Sequence, residues 1–270
     1  MPRSFTCCSA ASVTSWPWPP PGSLQAAEEL IRAGWAYAVV IDHRPLMAHL
    51  RLQHASVAYW DDRPRQARDL AESGLIYLAD GPNAAHLHVK YARAAARLGD
   101  ADGTRRALAA ARDAREREHR DDISEIGGEF GLSVATQHYF AGSALAEIDG
   151  AQAEAATELE EAAARYAAGP GPGEQHWFAG SALTAIDLAA IRLRTGALDA
   201  ATEVLEPVLS IPAGRRITAL TGRLPRVRAE LAQARYRGSA PGRVLDERIE
   251  DFGRDTIAAG LRELPGGPQG

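Results

Sequence analysis

One phrase occurs twice in this chain, and it limits the fold more than any other feature. Residues 137–149 read QHYFAGSALAEID and residues 175–187 read QHWFAGSALTAID, identical at ten of thirteen positions and offset by 38 residues. Self-similarity at that period belongs to arrays of stacked supersecondary units, each packing only on its neighbours. The small residues of AGSAL suit helices that approach closely.

The rest of the chain carries the helical rhythm that such an array needs. Ser23 can cap a helix running to about Asp42, which His43-Arg44-Pro45 breaks. Leu46, Leu50, Val57 and Trp60 continue the pattern to Asp61-Asp62, and Pro64 opens the next helix, where its missing N–H costs nothing. Leu87, Tyr91, Ala94 and Leu98 fall on one helical face, and Ala107, Leu108 and Ala111 follow the turn at Gly99-Asp100. The charged continuation RDAREREHRDD reads as a solvated helix end. ISEIGGEF, with two adjacent glycines, reads as an irregular insertion. The second copy of the phrase opens a helix expected from about Glu174 to Thr195, two turns longer than the first. Pro207 predicts a kink or stop near Glu203–Glu206, and a final pair is expected over about 214–234 and 243–262. Residues 1–22, rich in proline, are expected to be a disordered leader or the product of a misassigned start, and residues 263–270 a flexible tail. One repeat domain would fill 23–262.

A fainter pattern underlies these units. A small residue in the first helix is followed seven residues later by a turn residue and five beyond that by another small one. The sets are Ala55, Asp62 and Ala67; Ala92, Gly99 and Thr104; Ser143, Gly150 and Ala155; and Ala189, Gly196 and Ala201. These positions are similar to the anchors of the tetratricopeptide repeat, which implies an all-α, tetratricopeptide-like α-solenoid of antiparallel helix pairs. The wording AGWAYA, IDHRPLMA, AYWDDRPRQARDLAESGL and LGDADGTRRALAAA resembles something narrower. It is similar to the C-terminal tetratricopeptide-type region of actinobacterial XRE-family (helix-turn-helix) regulators, over about residues 23–262. That resemblance implies the effector-sensing or dimerising part of a transcriptional regulator, with the DNA-reading domain missing from this chain. The rival expectation is a stand-alone protein–protein scaffold.

Composition narrows the chemistry. The net charge is −5, which argues against a dedicated nucleic-acid surface, and Lys90 is the only lysine, a bias that a GC-rich genome explains. Cys7 and Cys8 are adjacent and form no disulfide framework or metal spacing. No run of eighteen apolar residues occurs, and residues 1–22 make a poor signal peptide, so a cytoplasmic chain without membrane contact is expected. None of the eight histidines, His43, His49, His54, His86, His88, His119, His138 and His176, belongs to an HExxH or to an i, i+4 pair on a predicted helix. No Gly-x-Ser-x-Gly elbow occurs, and GPGPG at 169–173 lacks the N–H donors of a phosphate cradle. The expectation is therefore no enzyme, no metal and no cofactor.

The candidate binding residues are the two Gln-His-aromatic triplets, Gln137, His138 and Tyr139 with Gln175, His176 and Trp177. Equivalent positions on successive first helices of a solenoid share one surface, where amide, imidazole and ring would suit a peptide, a protein partner or a small polar-aromatic effector. The competing expectation is that these side chains fill the core between repeats. A homodimer is compatible with either.

Overall fold

The computed structural model describes residues 23–78, 80–117, 121–126, 130–171, 174 and 179–254. Among them every regular element is a helix. The expected leader and the tail fall outside the described residues. The chain divides into two compact units, Met1–Phe178 and Ala179–Gly270.

Among the described residues of the first unit seven α-helices follow in order: α1 (Ser23–Val40), α2 (Arg44–Trp60), α3 (Pro64–Leu75), α4 (Gly81–Arg97), α5 (Ala101–Glu116), α6 (Val134–Leu145) and α7 (Gln152–Ala168). Local chemistry sets several of the starts. The His43 ring accepts from the Leu46 N–H, Asp100 accepts from Gly103 at 2.8 Å, and Ser133 accepts from Thr136. α2 pairs with α3, α4 with α5 and α6 with α7, while α4 also packs on α2, α3 and α6. Being touched on so many sides, α4 buries Leu87 and Ala94 on one face and His86 and Arg93 on another.

The faint anchor pattern marks the helix pairs accurately. Ala55, Ala67, Ala92, Thr104, Ser143, Ala155, Ala189 and Ala201 are all at most 2 % exposed. The turn between paired helices takes a positive φ in every unit, at Asp62 (56°), Gly99 (76°), Gly150 (78°) and Gly196 (89°). A left-handed residue is what lets a helix stop and the chain reverse. α6 and α7 approach closely at Gly142, where an added Cβ would lie 2.6 Å from Leu159 Cγ.

The second unit contains α8 (Gly180–Arg194), α9 (Leu198–Leu209), three short helices α10 (Thr218–Arg223), α11 (Pro225–Leu231) and α12 (Ala234–Arg237), and α13 (Ala240–Arg254). α8 is its central element, packed on α9, α10 and α11 through Leu183, Ile186, Ala190, Leu193 and their neighbours.

Five expectations change. The duplicated phrase does not occupy equivalent places: Ala141–Leu145 is the last turn of α6, whereas Gly180–Leu183 is the first turn of α8. The helix expected from Glu174 begins only at Gly180, with Ala179 as its N-cap. Pro207 does not end its helix, because α9 runs on to Leu209 with Leu205 and Val208 buried, and that packing outweighs one lost backbone bond a turn from the end. The helix expected over 214–234 is broken into pieces, with Pro225 at the start of α11 unable to donate back to the preceding turn. The charge run 112–122 is also not simply solvated. Arg115 turns inward to donate to Gln137 Oε1 and to the Leu132 carbonyl, and Asp121 is buried.

Candidate functional site

The first triplet is divided by its own helix. Gln137 is buried and its amide oxygen is held by Arg115. His138 Nδ1 meets Glu158 Oε2 at 2.7 Å, and Arg112 reaches the other Glu158 oxygen. Burial would raise the Glu158 carboxyl, but the bonds from His138 and Arg112 outweigh it and hold it below the usual range. These side chains line a cavity of about 210 Å³ between α5, α6 and α7, floored by Val89, Leu108, Ala111 and Ala141. Tyr139 is buried, its ring tilted against Phe140 with centroids 5.3 Å apart. Nearby, Tyr166 bonds Thr136, and burial pushes its phenol up to about 12. Gln175, His176 and Trp177 lie outside the described residues. The structure thus brings Gln137 and His138 together against the second helices of two pairs, through ion pairs and hydrogen bonds the chain itself supplies.

A different seam, between α2, α4 and α6, holds polar groups the chain leaves unsatisfied. Phe140 of α6 is its hub. His86 stacks on that ring with centroids 5.9 Å apart, Lys90 Nζ lies 4.4 Å from its centroid, and the Arg93 guanidinium carbon lies 4.8 Å from it. Positions 86, 90 and 93 are i, i+4 and i+7, one face of α4. Arg93 also covers Tyr59 at 4.3 Å and Trp60 at 5.7 Å. It is 3 % exposed, its Nε has no hydrogen-bond partner, and it makes no ion pair among the described residues. Ring faces return about 2 kcal/mol to a desolvated cation, against an effective desolvation cost of several.

The histidines of this seam are neutral. Burial pulls His49 down to about 4, and burial first, then the nearby Lys90 charge, holds His86 well below its ordinary value. Gln53 donates its amide N–H to His49 Nε2 at 3.0 Å, which places the ring proton on Nδ1, and that atom has no acceptor. His86 Nε2 and Asn83 Oδ1 likewise have no partner among the described residues. The insertion closes one side: Phe130 packs on the His49 ring at 4.8 Å, Ile123 is buried with it, and Asp121 takes a long 3.5 Å bond from Asn83 Nδ2. Buried polar atoms are ordinarily paired, so several orphans on adjoining helices stand out.

No group of three metal-ligating side chains occurs among the described residues, nor is any helix there long and apolar enough to cross a membrane. Comparisons with family models, with curated proteins and with solved structures return no match.

Sequence reasoning found Gln137, His138 and Tyr139 but passed over Arg93, His86, Asn83 and His49. The i, i+4, i+7 spacing of His86, Lys90 and Arg93 was available as a signal. It reads as a solvated stripe unless the helix is known to be covered on every side.

Proposed function

We propose that this chain is a non-catalytic binding protein, a tetratricopeptide-like array serving as the effector-sensing or dimerising part of a transcriptional regulator. The observation that carries the binding reading is the α2–α4–α6 seam, where buried donors and acceptors stand unsatisfied among the described residues beside the buried rings of Tyr59 and Phe140. Polar groups of that kind gain more from a ligand than solvated ones do, because their desolvation has already occurred in the free protein. The regulator reading draws its support from the resemblance of phrases such as AYWDDRPRQARDLAESGL to XRE-family regulators. In it, a ligand bridging α2, α4 and α6 would favour one packing of the helix pairs and so bias a DNA-binding partner.

Purification from the native host, with mass spectrometry of what accompanies the chain, tests this. The expected result is a stoichiometric small molecule or peptide whose removal lowers the melting temperature, together with a helix-turn-helix protein. Recovery of the chain alone, with a melting temperature indifferent to dialysis, would sink the reading.

One observation favours the scaffold alternative. Tyr37, Val39, Val40 and Ile41, at the end of α1, are exposed, Val40 by 82 %. A cluster of that kind suits a protein partner or a second copy. Light scattering after size exclusion, on the chain and on Val40→Asp, distinguishes self-association from its absence.

A further inference from the structure

We propose that the seam between α2, α4 and α6 is an oxyanion site, with Arg93 as the residue that receives the carboxylate or phosphate group of a small ligand. This rests on the binding reading above and specifies its chemistry.

Only Arg93 and Arg223 among the described arginines are buried. Arg223 has its counter-charge, Asp187, whose two oxygens it meets at 2.6 Å each. Arg93 has three aromatic rings and no carboxylate among the described residues. Ring faces satisfy the plane of a guanidinium but leave its edge, where the N–H donors lie, unfilled. The unpartnered Nε is on that edge. A planar fork of N–H groups with fixed direction is the usual recogniser of carboxylate and phosphate.

The seam's carboxylate, Asp121, is engaged by Asn83 and by the Ile123 and Ser124 N–H groups, and the charged groups over the Phe140 ring are positive. Lys90 adds a second positive charge over the same Phe140 ring. His86 and His49 are neutral, and His49 offers the unfilled Nδ1–H described above as a donor. Asn83 Oδ1 is an unfilled acceptor among the described residues and asks for a hydroxyl or amine on the ligand, while the unpartnered His86 Nε2 can take either role with its tautomer. Asn83 and Arg93 stand ten residues apart on α4, about 15 Å along its axis, so the occupant that fits is an elongated small molecule with an oxyanion at the Arg93 end and a hydrogen-bond donor at the Asn83 end.

The test is thermal unfolding of the full chain in chloride buffer, titrated with sodium phosphate and separately with sodium succinate, against sodium chloride of equal ionic strength. The expected result is a rise of several degrees for one of the two anions over the chloride control. That rise should vanish in Arg93→Met and persist in Arg105→Met, an exposed arginine of α5 that pairs with Glu154. Phosphate acting alone assigns a phosphorylated ligand, and succinate acting alone a carboxylate. Arg93→Lys, which keeps the charge and loses the fork, is expected to fold and to weaken anion binding by about tenfold in calorimetric titration. Equal stabilisation by chloride, no response to either anion, or a response that survives Arg93→Met would overturn the proposal. If a molecule co-purifies with the chain and its binding ignores Arg93→Met, the oxyanion assignment fails while the binding reading stands. If nothing co-purifies and neither anion binds, both fail.

Discussion

Arg93 of the first unit and Arg223 of the second are both under a tenth exposed, yet the chain treats them in opposite ways. Arg223 on α10 meets Asp187 of α8 through two parallel bonds, and around it Tyr236 donates its hydroxyl to the Leu193 carbonyl while Arg194 pairs with Glu230. The second unit thus closes its polar interior with its own partners. The first unit leaves donors and acceptors open in the seam around Phe140. A closed buried pair holds helices in register, whereas an open one costs stability that only function can justify.

The same substitution should therefore give opposite results at the two sites. Arg223→Met takes the bidentate partner from the buried Asp187, and Asp187→Ala takes the carboxylate from the buried Arg223, so each is expected to cost about 3–5 kcal/mol. Arg93→Met strands nothing and is expected to fall within about 1 kcal/mol of the parent, or above it. Urea unfolding followed by circular dichroism measures all three. The five tryptophans all precede Ala179, so fluorescence should report the Arg93 variant and respond less to Asp187→Ala. A loss of 3 kcal/mol on Arg93→Met would make the two arginines alike and end the comparison.

Acid should weaken the first unit before the second. His49 titrates near 4 in the folded chain and near 6.5 unfolded, because burial disfavours its charged form. Between those values the unfolded state binds the extra proton, so stability is full above pH 6.5 and lost as pH falls toward 4. The loss for His49 alone is about 3 kcal/mol. His86, His54 and His88, all lowered with burial the leading cause, act in the same direction. Glu28 and Glu158, held low, contribute stability above 4.5 that is lost only at more acid pH. Tryptophan fluorescence against urea at pH 7, 6 and 5 should show the decline, and His49→Met should flatten it. A flat profile in the parent would mean that water or solvent reaches the seam.

Glycines sharpen the contrast at the level of packing. Gly142 sits where α6 meets α7, and a Cβ there would also lie 3.1 Å from the Ala155 carbonyl oxygen, so Gly142→Ala should cost about 1–3 kcal/mol. Gly253, in the last turn of α13, has open space around it and an ordinary φ. Gly253→Ala should raise stability by about 0.5–1 kcal/mol through helix propensity. Thermal unfolding of both variants reads the two signs.

How much of this the sequence carries depends on which signal is followed. The strong repeat misleads, because Ala141–Leu145 closes one helix and Gly180–Leu183 opens another. Small residues permit close approach wherever they fall, so AGSAL fixes a packing chemistry and not a position along a helix. The faint anchors succeed because they combine two demands, a left-handed turn residue and small residues at fixed distances from it. Only a helix hairpin meets both. The seam was hidden for a different reason. A stripe of His, Lys and Arg looks solvent-facing until tertiary packing covers it, and α4 is covered by α2, α3, α5 and α6 together. No local pattern encodes that coverage.

The smallest expected effect tests the anchors themselves. Thr104 stands where Ala67, Ala155 and Ala201 stand in the other pairs, and it is fully buried. Its hydroxyl donates to the Asp100 carbonyl at 2.7 Å, but that oxygen already accepts the Thr104 backbone N–H at 2.9 Å. Removing the hydroxyl strands no acceptor, and alanine is the better helix former, so the two terms nearly cancel. Thr104→Ala should therefore change stability by less than about 1 kcal/mol. A loss above about 2 kcal/mol in chemical denaturation would mean that the hydroxyl's longer 3.4 Å reach to the Ala92 carbonyl ties α5 to α4. The anchor would then be a hydrogen bond in this pair and a matter of volume in the others.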